Sequence, residues 1–453
     1  MDNELQKVHL IAMGGSVMHA LAIALKNNGI EVSGSDDQFF DPSLTQLKNS
    51  GLLPEKEGWD ADRITPNLDA VILGMHAHLD NPELVRAQEL GLKIYSFPEF
   101  ILEQSKNKQR IVVGGSHGKT TITSMIMHVL KFHDRKFDYV VGARLKGFDN
   151  MVQLSDAPII IIEGDEYLSS RIDPTPKFLN YQHHIGLISG IAWDHINVFQ
   201  TEEDYVHQFD LFGDATPKAG SLAYNEDDPL SQIIGAKERP DVIQLPYSVH
   251  PHVVENGVTY LINGDEQIRL RIFGKHNMLN LSGAMQVCSR LSINKDDFYD
   301  AIKSFESPAL RMQIMAEGKD YAIFRDYAHA PSKVEATTFS LKEQFPEREL
   351  IACLELHTYS SLNKSFLHQY QDTLKYCNKA AVFYDPGAVE QKKLERISDE
   401  DIIKAFNFNG LKVFSRKEEL TEFLKSQNLS NKNLLLMSSA NYGGADLKEI
   451  FEV

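Results

Sequence analysis

Lys119 and Thr120 close the run Gly114-Gly-Ser-His-Gly-Lys-Thr120, where three glycines precede a cation and a hydroxyl. Residues of those types at that spacing suit a phosphate. Glycines let backbone N–H groups turn toward an anion, a helix N-terminus adds positive potential, and lysine supplies a mobile charge. Thr120 would offer its hydroxyl to Mg²⁺. A full Gly-x₄-Gly-Lys-Thr loop would need glycine at 113, where Val113 stands; the shorter Gly115-Ser-His-Gly-Lys-Thr120 fits. Gly-Lys-Thr alone is a weak signal, and its plain alternative is a structural glycine turn.

Other candidate groups recur at strand ends. Four isoleucines, Ile159 to Ile162, run into Glu163, Asp165 and Glu166. Such a cluster is usually a solvated loop, but beside a nucleotide loop it is a source of hard oxygen ligands. Asp194-His195 follows the apolar run from Ile185; by itself the pair reads as surface. His276, Asn277 and Asn280 open an apolar helix with the two asparagines a turn apart, which a capped core helix would also explain. Asp326 and His329 end another apolar run.

These residues require α/β elements to hold them. Ile111 to Val113 read as a buried parallel strand, and Ile122, Met125, Ile126, Val129 and Leu130 recur at helical spacing, so the glycine loop joins strand to helix. Val8 to Met13, the Gly14-Gly15-Ser16 turn, a helix through Leu25, and a second strand ending at Asp36 make an earlier βα unit resembling a dinucleotide fold, although full G-x-G-x-x-G spacing is missing. Polar Glu103 to Gln109 reads as a linker. Alternation in Val258–Ile262 and Ile268–Ile272 around Asn263-Gly264-Asp265 predicts a hairpin. Strands at 350–354, 380–384, 411–414 and 434–437 predict a third α/β domain after the Ser307-Pro308 break. The expectation is an α/β chain of three domains: a Rossmann-like unit over 1–107, a central phosphate-loop domain with a mostly parallel sheet over 108–306, and a Rossmann-like domain over 307–453.

A chain of 453 residues with 42% hydrophobic content holds several cores. The formal charge of −17 argues against a nucleic-acid surface. Cys288, Cys353 and Cys377 lack metal or disulfide spacing. Neither a signal segment nor an apolar run long enough for a membrane span is read, so a cytoplasmic protein without membrane insertion is expected.

In order, Gly115-Ser-His-Gly-Lys-Thr120, Glu163 with Asp165-Glu166, Asp194-His195, His276-Asn277-x-x-Asn280 and Asp326-Tyr-Ala-His329-x-Pro331 resemble the Mur ligases, ATP-dependent amide-forming enzymes of peptidoglycan synthesis and cell-wall biogenesis. The likeness covers essentially the whole chain. It implies ATP and Mg²⁺ as cofactors. It implies UDP-N-acetylmuramate on the first domain, with Gly15, Ser16 and Met18 at a diphosphate turn, Ser35 and Asp36 near the uridine, and His76 and Asn81 alongside. Gly115, Ser116, His117, Gly118, Lys119, Thr120 and Thr121 would hold the ATP phosphates. His276, Asn277 and Asn280 would meet the adenosine, and Arg311, Asp326 and His329 would complete the nucleotide site. Thr120, Glu163 and His195 would be metal ligands, with Lys119, Glu163 and His195 catalytic.

Glu163 to Tyr167, Lys177-Phe178, Asp194-His195 and Met437-Ser-x-x-x-Tyr-Gly-Gly444 look most like the branch that joins UDP-N-acetylmuramate to murein tripeptide, L-alanyl-γ-D-glutamyl-meso-diaminopimelate, in recycling. The alternative is the branch that adds L-alanine, to which Ser33-Gly-Ser-Asp36 and Asp80-Asn-Pro-Glu83 are equally similar. Gly190 stands where the family usually has asparagine, and a single Arg311 replaces a common pair. A folylpolyglutamate-type ligase lacks the unit before residue 107, an NAD oxidoreductase leaves the phosphate loop unexplained, and a non-catalytic nucleotide-binding regulator would release no phosphate.

Overall fold

The computed structural model describes residues 5–193 and 198–451, so Asp194 and His195 lie outside the described residues. Two compact units form, one of residues 1–191, 202–248 and 280–302, the other of 192–201, 249–279 and 303–453.

The first unit holds two sheets. In one, strands Glu31–Ser35, Lys7–Ile11, Ala70–Leu73 and Ile94–Ser96 lie side by side and parallel, so the first strand of the chain sits inside the sheet with crossovers leaving to both sides. That reversal is where open α/β sheets leave a crevice at the strand C-termini. In the second, the order is Ile243–Tyr247, Ser221–Asn225, Ile185–Ile188, Gln109–Gly114, Ile159–Glu163, Asp138–Val140 and Val152–Gln153. All pairs are parallel except the last. Ile111, Val112, Val113, Ile160, Ile161 and Ile162 are fully buried, as β-branched runs covered on both faces must be. Helix Lys119–Phe132 buries Ile122, Met125, Ile126, Val129 and Leu130 completely, each contributing about 1.5–3 kcal/mol.

The second unit carries a small antiparallel sheet of His252–Glu255, Val258–Asn263 and Glu266–Arg269. The predicted hairpin is there, its turn closed by Asn263 opposite Glu266 with Gly264 at φ +61°. This segment groups with the C-terminal sheet rather than with the phosphate-loop sheet. The large sheet runs Gln313–Glu317, Ala322–Asp326, Lys432–Met437, Glu349–Leu356, Lys379–Tyr384 and Lys412–Phe414. Its core alternates by face: Ala352 and Leu354 join one buried cluster, Ile351 and Cys353 the other. Among the described residues no helix is long and apolar enough to cross a membrane.

Candidate active site

Parallel register brings three strand ends to one edge. Val113 pairs with Glu163 and Gly114 with Ile188, so the glycine loop leaves the sheet between the acidic cluster and Ser189-Gly190. The loop needs its glycines at two points. Gly115 sits at φ +129° and Gly118 at φ +76°. A Cβ at Gly115 would come within 2.9 Å of Ser189 N, and one at Gly118 within 3.2 Å of Asn280 Cγ and closer still to its Oδ1. The predicted Asn280 therefore lies directly on the loop. Ser116 N–H donates to Gly190 O at 2.9 Å, tying the loop to the neighbouring strand end.

Gly118 caps helix Lys119–Phe132 without any side-chain hydrogen bond, and no acid stands in its first turn. Its leading N–H groups form an anion site of the ordinary helix kind. Lys119 Nζ donates to Gly115 O at 2.6 Å and to Glu166 Oε2 at 2.5 Å. Burial alone would lower the Lys119 pKa; the carboxylates of Glu166, Asp165 and Glu163 overcome it and hold the ammonium above its ordinary value. Thr120 Oγ1 donates to Glu163 Oε1 at 2.7 Å, and Gly142 N–H donates to Glu163 Oε2 at 2.9 Å. Asp165 is paired with Lys177 at 2.7 Å. Burial pushes the Asp165 carboxyl up, but Lys177 and Lys119 together bring it below the usual range.

Tyr205 had no sequence signal. Its hydroxyl donates to Glu166 Oε1 at 3.0 Å and lies 2.8 Å from Ser116 Oγ. The ring reaches this point because helix Glu202–Asp214 buries Tyr205, Phe209 and Phe212 on one face, with Phe178 stacked on Phe212 at 4.9 Å.

In the first sheet, Gly14 N–H donates to Asp36 Oδ2 at 2.7 Å, so the acid ending the second strand sits on the glycine turn. Burial, then the neighbouring Asp37, raises the Asp36 pKa to about 6. Gly15 precedes helix Ser16–Asn27, exposed Ser16 opens it, and Met18 is buried beneath the turn. Two of the predicted residues also brace the fold. Ser35 Oγ donates to the buried Glu83 carboxylate, and Asn81 Oδ1 caps helix Pro82–Glu89 by accepting from Glu83 N at 2.9 Å and Leu84 N at 3.2 Å. His76 is exposed, its pKa lowered by partial desolvation and by Lys177 and Arg171.

The remaining predicted residues belong to the second unit. Asp326 accepts from Met312 N and Ala328 N, each at 2.7 Å. Arg311 lies between Leu310 at φ +58° and Met312 at φ +49°, a left-handed stretch that non-glycine residues adopt only when their surroundings hold them. The Arg311 guanidinium stacks 4.6 Å from the Tyr327 ring, and His329 packs edge-on to that ring. His276 Nδ1 lies 2.9 Å from Ser340 Oγ; burial lowers its pKa against the opposing pull of Asp326. Asn277 Nδ2 donates to Phe273 O at 2.8 Å. The Met437-to-Gly444 motif is a sheet-end turn in which Tyr442 is buried, its hydroxyl donating toward the carbonyls of Cys353 and Met437. Among the described residues no group of three or more His, Cys, Asp or Glu is placed to hold a metal.

The Mur ligase middle domain model matches residues 113–288, and the model of the Mur ligase family catalytic domain matches residues 7–109. A UDP-N-acetylmuramate–L-alanine ligase of Caldicellulosiruptor bescii is 30% identical over 413 residues, covering 88% of each chain. Among solved structures, a UDP-N-acetylmuramate–alanine ligase from Thermotoga maritima aligns with a TM-score of 0.70 at 18% identity, covering 97% of this chain and 96% of the other. A murein peptide ligase from Psychrobacter arcticus aligns with a TM-score of 0.67 at 19% identity, covering 99% and 98%.

Proposed function

Because the chain belongs to the Mur ligase family, ATP-dependent amide-forming ligases of peptidoglycan synthesis, we propose that it joins an amine to the lactyl carboxylate of UDP-N-acetylmuramate. The observation that carries this reading is the Lys119 ammonium, fixed by Gly115 and Glu166 at the mouth of a helix N-terminus that no side chain caps.

A carboxylate is a poor acyl donor, so the γ-phosphoryl group of ATP is first transferred to it. Lys119 and the loop N–H groups offset charge on the group in flight. The amine, as its free base, then attacks the acyl carbon; the C–O bond to phosphate breaks, leaving amide, ADP and phosphate.

Glu163, Asp165 and Glu166 carry three negative charges against two from Lys119 and Lys177, a balance of −1 before a polyanion enters. A divalent cation fits that deficit. Thr120 and Glu163, already in contact through their oxygens, would hold Mg²⁺, which supplies electrostatic screening of the phosphates. His195 is proposed as a further ligand. The domain limits 1–107, 108–306 and 307–453 belong to the same proposal, supported by the four-, seven- and six-stranded sheets that fall one in each, although residues 249–279 group with the C-terminal sheet. So do the UDP-sugar contacts around Gly15 and Asp36, and a cytoplasmic setting that supplies both nucleotides.

For the amine, the relatives favour L-alanine over the tripeptide first expected. The tripeptide is the second reading, supported by the likeness of Glu163 to Tyr167 and of Lys177-Phe178 to the recycling branch. Phosphate release with ATP, Mg²⁺ and UDP-N-acetylmuramate, measured with each amine in turn, separates them. Release with neither amine would sink the ligase reading.

A further inference from the structure

With Glu166 ionised, its neighbours form a chain of hydrogen bonds with one direction. A tyrosine has a single hydroxyl proton, and Tyr205 gives it to Glu166 Oε1 at 3.0 Å. The contact of 2.8 Å between Tyr205 and Ser116 must then be donated by Ser116. Glu166 Oε2 receives Lys119 Nζ at 2.5 Å. The sequence of donors is therefore Ser116, Tyr205, Glu166, with the Lys119 ammonium closing on the other carboxylate oxygen. Ser116 and Lys119 are the two ends of this chain and also two residues of one loop. Both middle members are buried: Tyr205 is 0% and Glu166 1% exposed.

Two consequences follow for a phosphate ligand. An ammonium has three N–H donors. Two of Lys119's are directed by Gly115 O and Glu166 Oε2, so the third has a fixed aim. Meanwhile, Ser116 spends its N–H on Gly190 O and its hydroxyl proton on Tyr205, which fixes the loop's shape rather than adding donors. A loop whose cation and bend are both set before binding loses less entropy when the ligand arrives.

We propose that Tyr205 is a positioning residue for the nucleotide: through Glu166 it orients the Lys119 ammonium, and through Ser116 it holds the loop that receives the phosphates. The inference rests on the ATP-dependent reading above, but its test separates the two. Tyr205→Phe keeps the ring against Phe209 and deletes only the hydroxyl. MgATP binding is measured calorimetrically on the full chain for wild type, Tyr205→Phe, Glu166→Gln and the double variant, with UDP-N-acetylmuramate binding as the second readout.

The expected result is a dissociation constant for MgATP raised roughly tenfold in Tyr205→Phe, with UDP-N-acetylmuramate affinity unchanged. In the Glu166→Gln background the same substitution should add less than about twofold, because the chain is already broken. Wild-type MgATP affinity in Tyr205→Phe would overturn the proposal. So would effects that multiply fully in the double variant, or an equal loss for both ligands, which marks general damage to the fold. A wild-type chain that binds no MgATP at all would instead remove the ligase reading on which the inference stands.

Discussion

Placing a single methyl group on each loop glycine separates the backbone demands of the nucleotide loop from its packing demands. Gly29 is the reference. It lies in the same compact unit at φ +84°, with nothing within 4 Å of an added Cβ. Alanine there meets a left-handed penalty of about 1–2 kcal/mol. A less flexible unfolded chain returns about 0.4–1 kcal/mol, leaving a net loss of roughly 0–1.5 kcal/mol. Gly118→Ala bears the same backbone cost at φ +76° and must also push Asn280 off its rotamer, about 0.5–1.5 kcal/mol more. Gly115→Ala has no such escape. Its methyl would face Ser189 N at 2.9 Å, a backbone atom at a strand end, so overpacking of about 1–3 kcal/mol is added. Urea unfolding without nucleotide should rank the losses Gly29→Ala, then Gly118→Ala, then Gly115→Ala. Adding Asn280→Ala to Gly118→Ala should remove its steric part and leave the backbone part. Equal losses at all three positions would refute the reasoning, since Gly29 lacks any steric term and Gly115, at φ +129°, carries the most restricted backbone as well.

Lys119→Ala should abolish phosphate release while UDP-N-acetylmuramate still binds; a near-normal rate would refute its role. Glu163→Ala should raise the Mg²⁺ concentration needed for half-maximal rate by about tenfold or more, and an unchanged requirement would take Glu163 out of the metal site. Asp36 titrates near pH 6 in the folded protein, above its value in an unfolded chain, so between about pH 4 and 6 the folded state binds the extra proton. Stability should therefore fall as pH rises through that window, and Asp36→Asn should flatten the fall; an unaltered pH profile in the variant would contradict the assignment.

The strand–loop–helix around Lys119 was legible because both of its periodicities are strong and its glycines are unambiguous. Likewise, the isoleucine run announced the strand ending at Glu163. What escaped was whatever depended on neighbours remote in the chain. Ser221–Asn225 and Ile243–Tyr247 are parallel strands of the loop sheet, yet the second leaves Ile243 and Gln244 exposed at the sheet edge, so its pattern carries little hydrophobic signal. The short partner Val152–Gln153 is too brief to read. Gln313–Glu317 pairs antiparallel along an edge with a register shift between Ile314 and Ala316, which blurs its alternation. Tyr205 occupies an ordinary helical core position, and only the fold shows its hydroxyl reaching Glu166. Ser35 and Asn81 show the converse: motif membership suggested ligand contact, and only the fold shows that their side chains also brace Glu83 and a helix end.

The pairing of Val113 with Glu163 makes the isoleucine run a ruler. Exchanging isoleucine for valine along it trims methyl groups at about 0.5–1.5 kcal/mol each and leaves the acid where it is. Deleting one residue is another matter, because side chains alternate across a strand and everything beyond the gap would turn to the opposite face. Length, more than composition, is what this segment can least afford to vary.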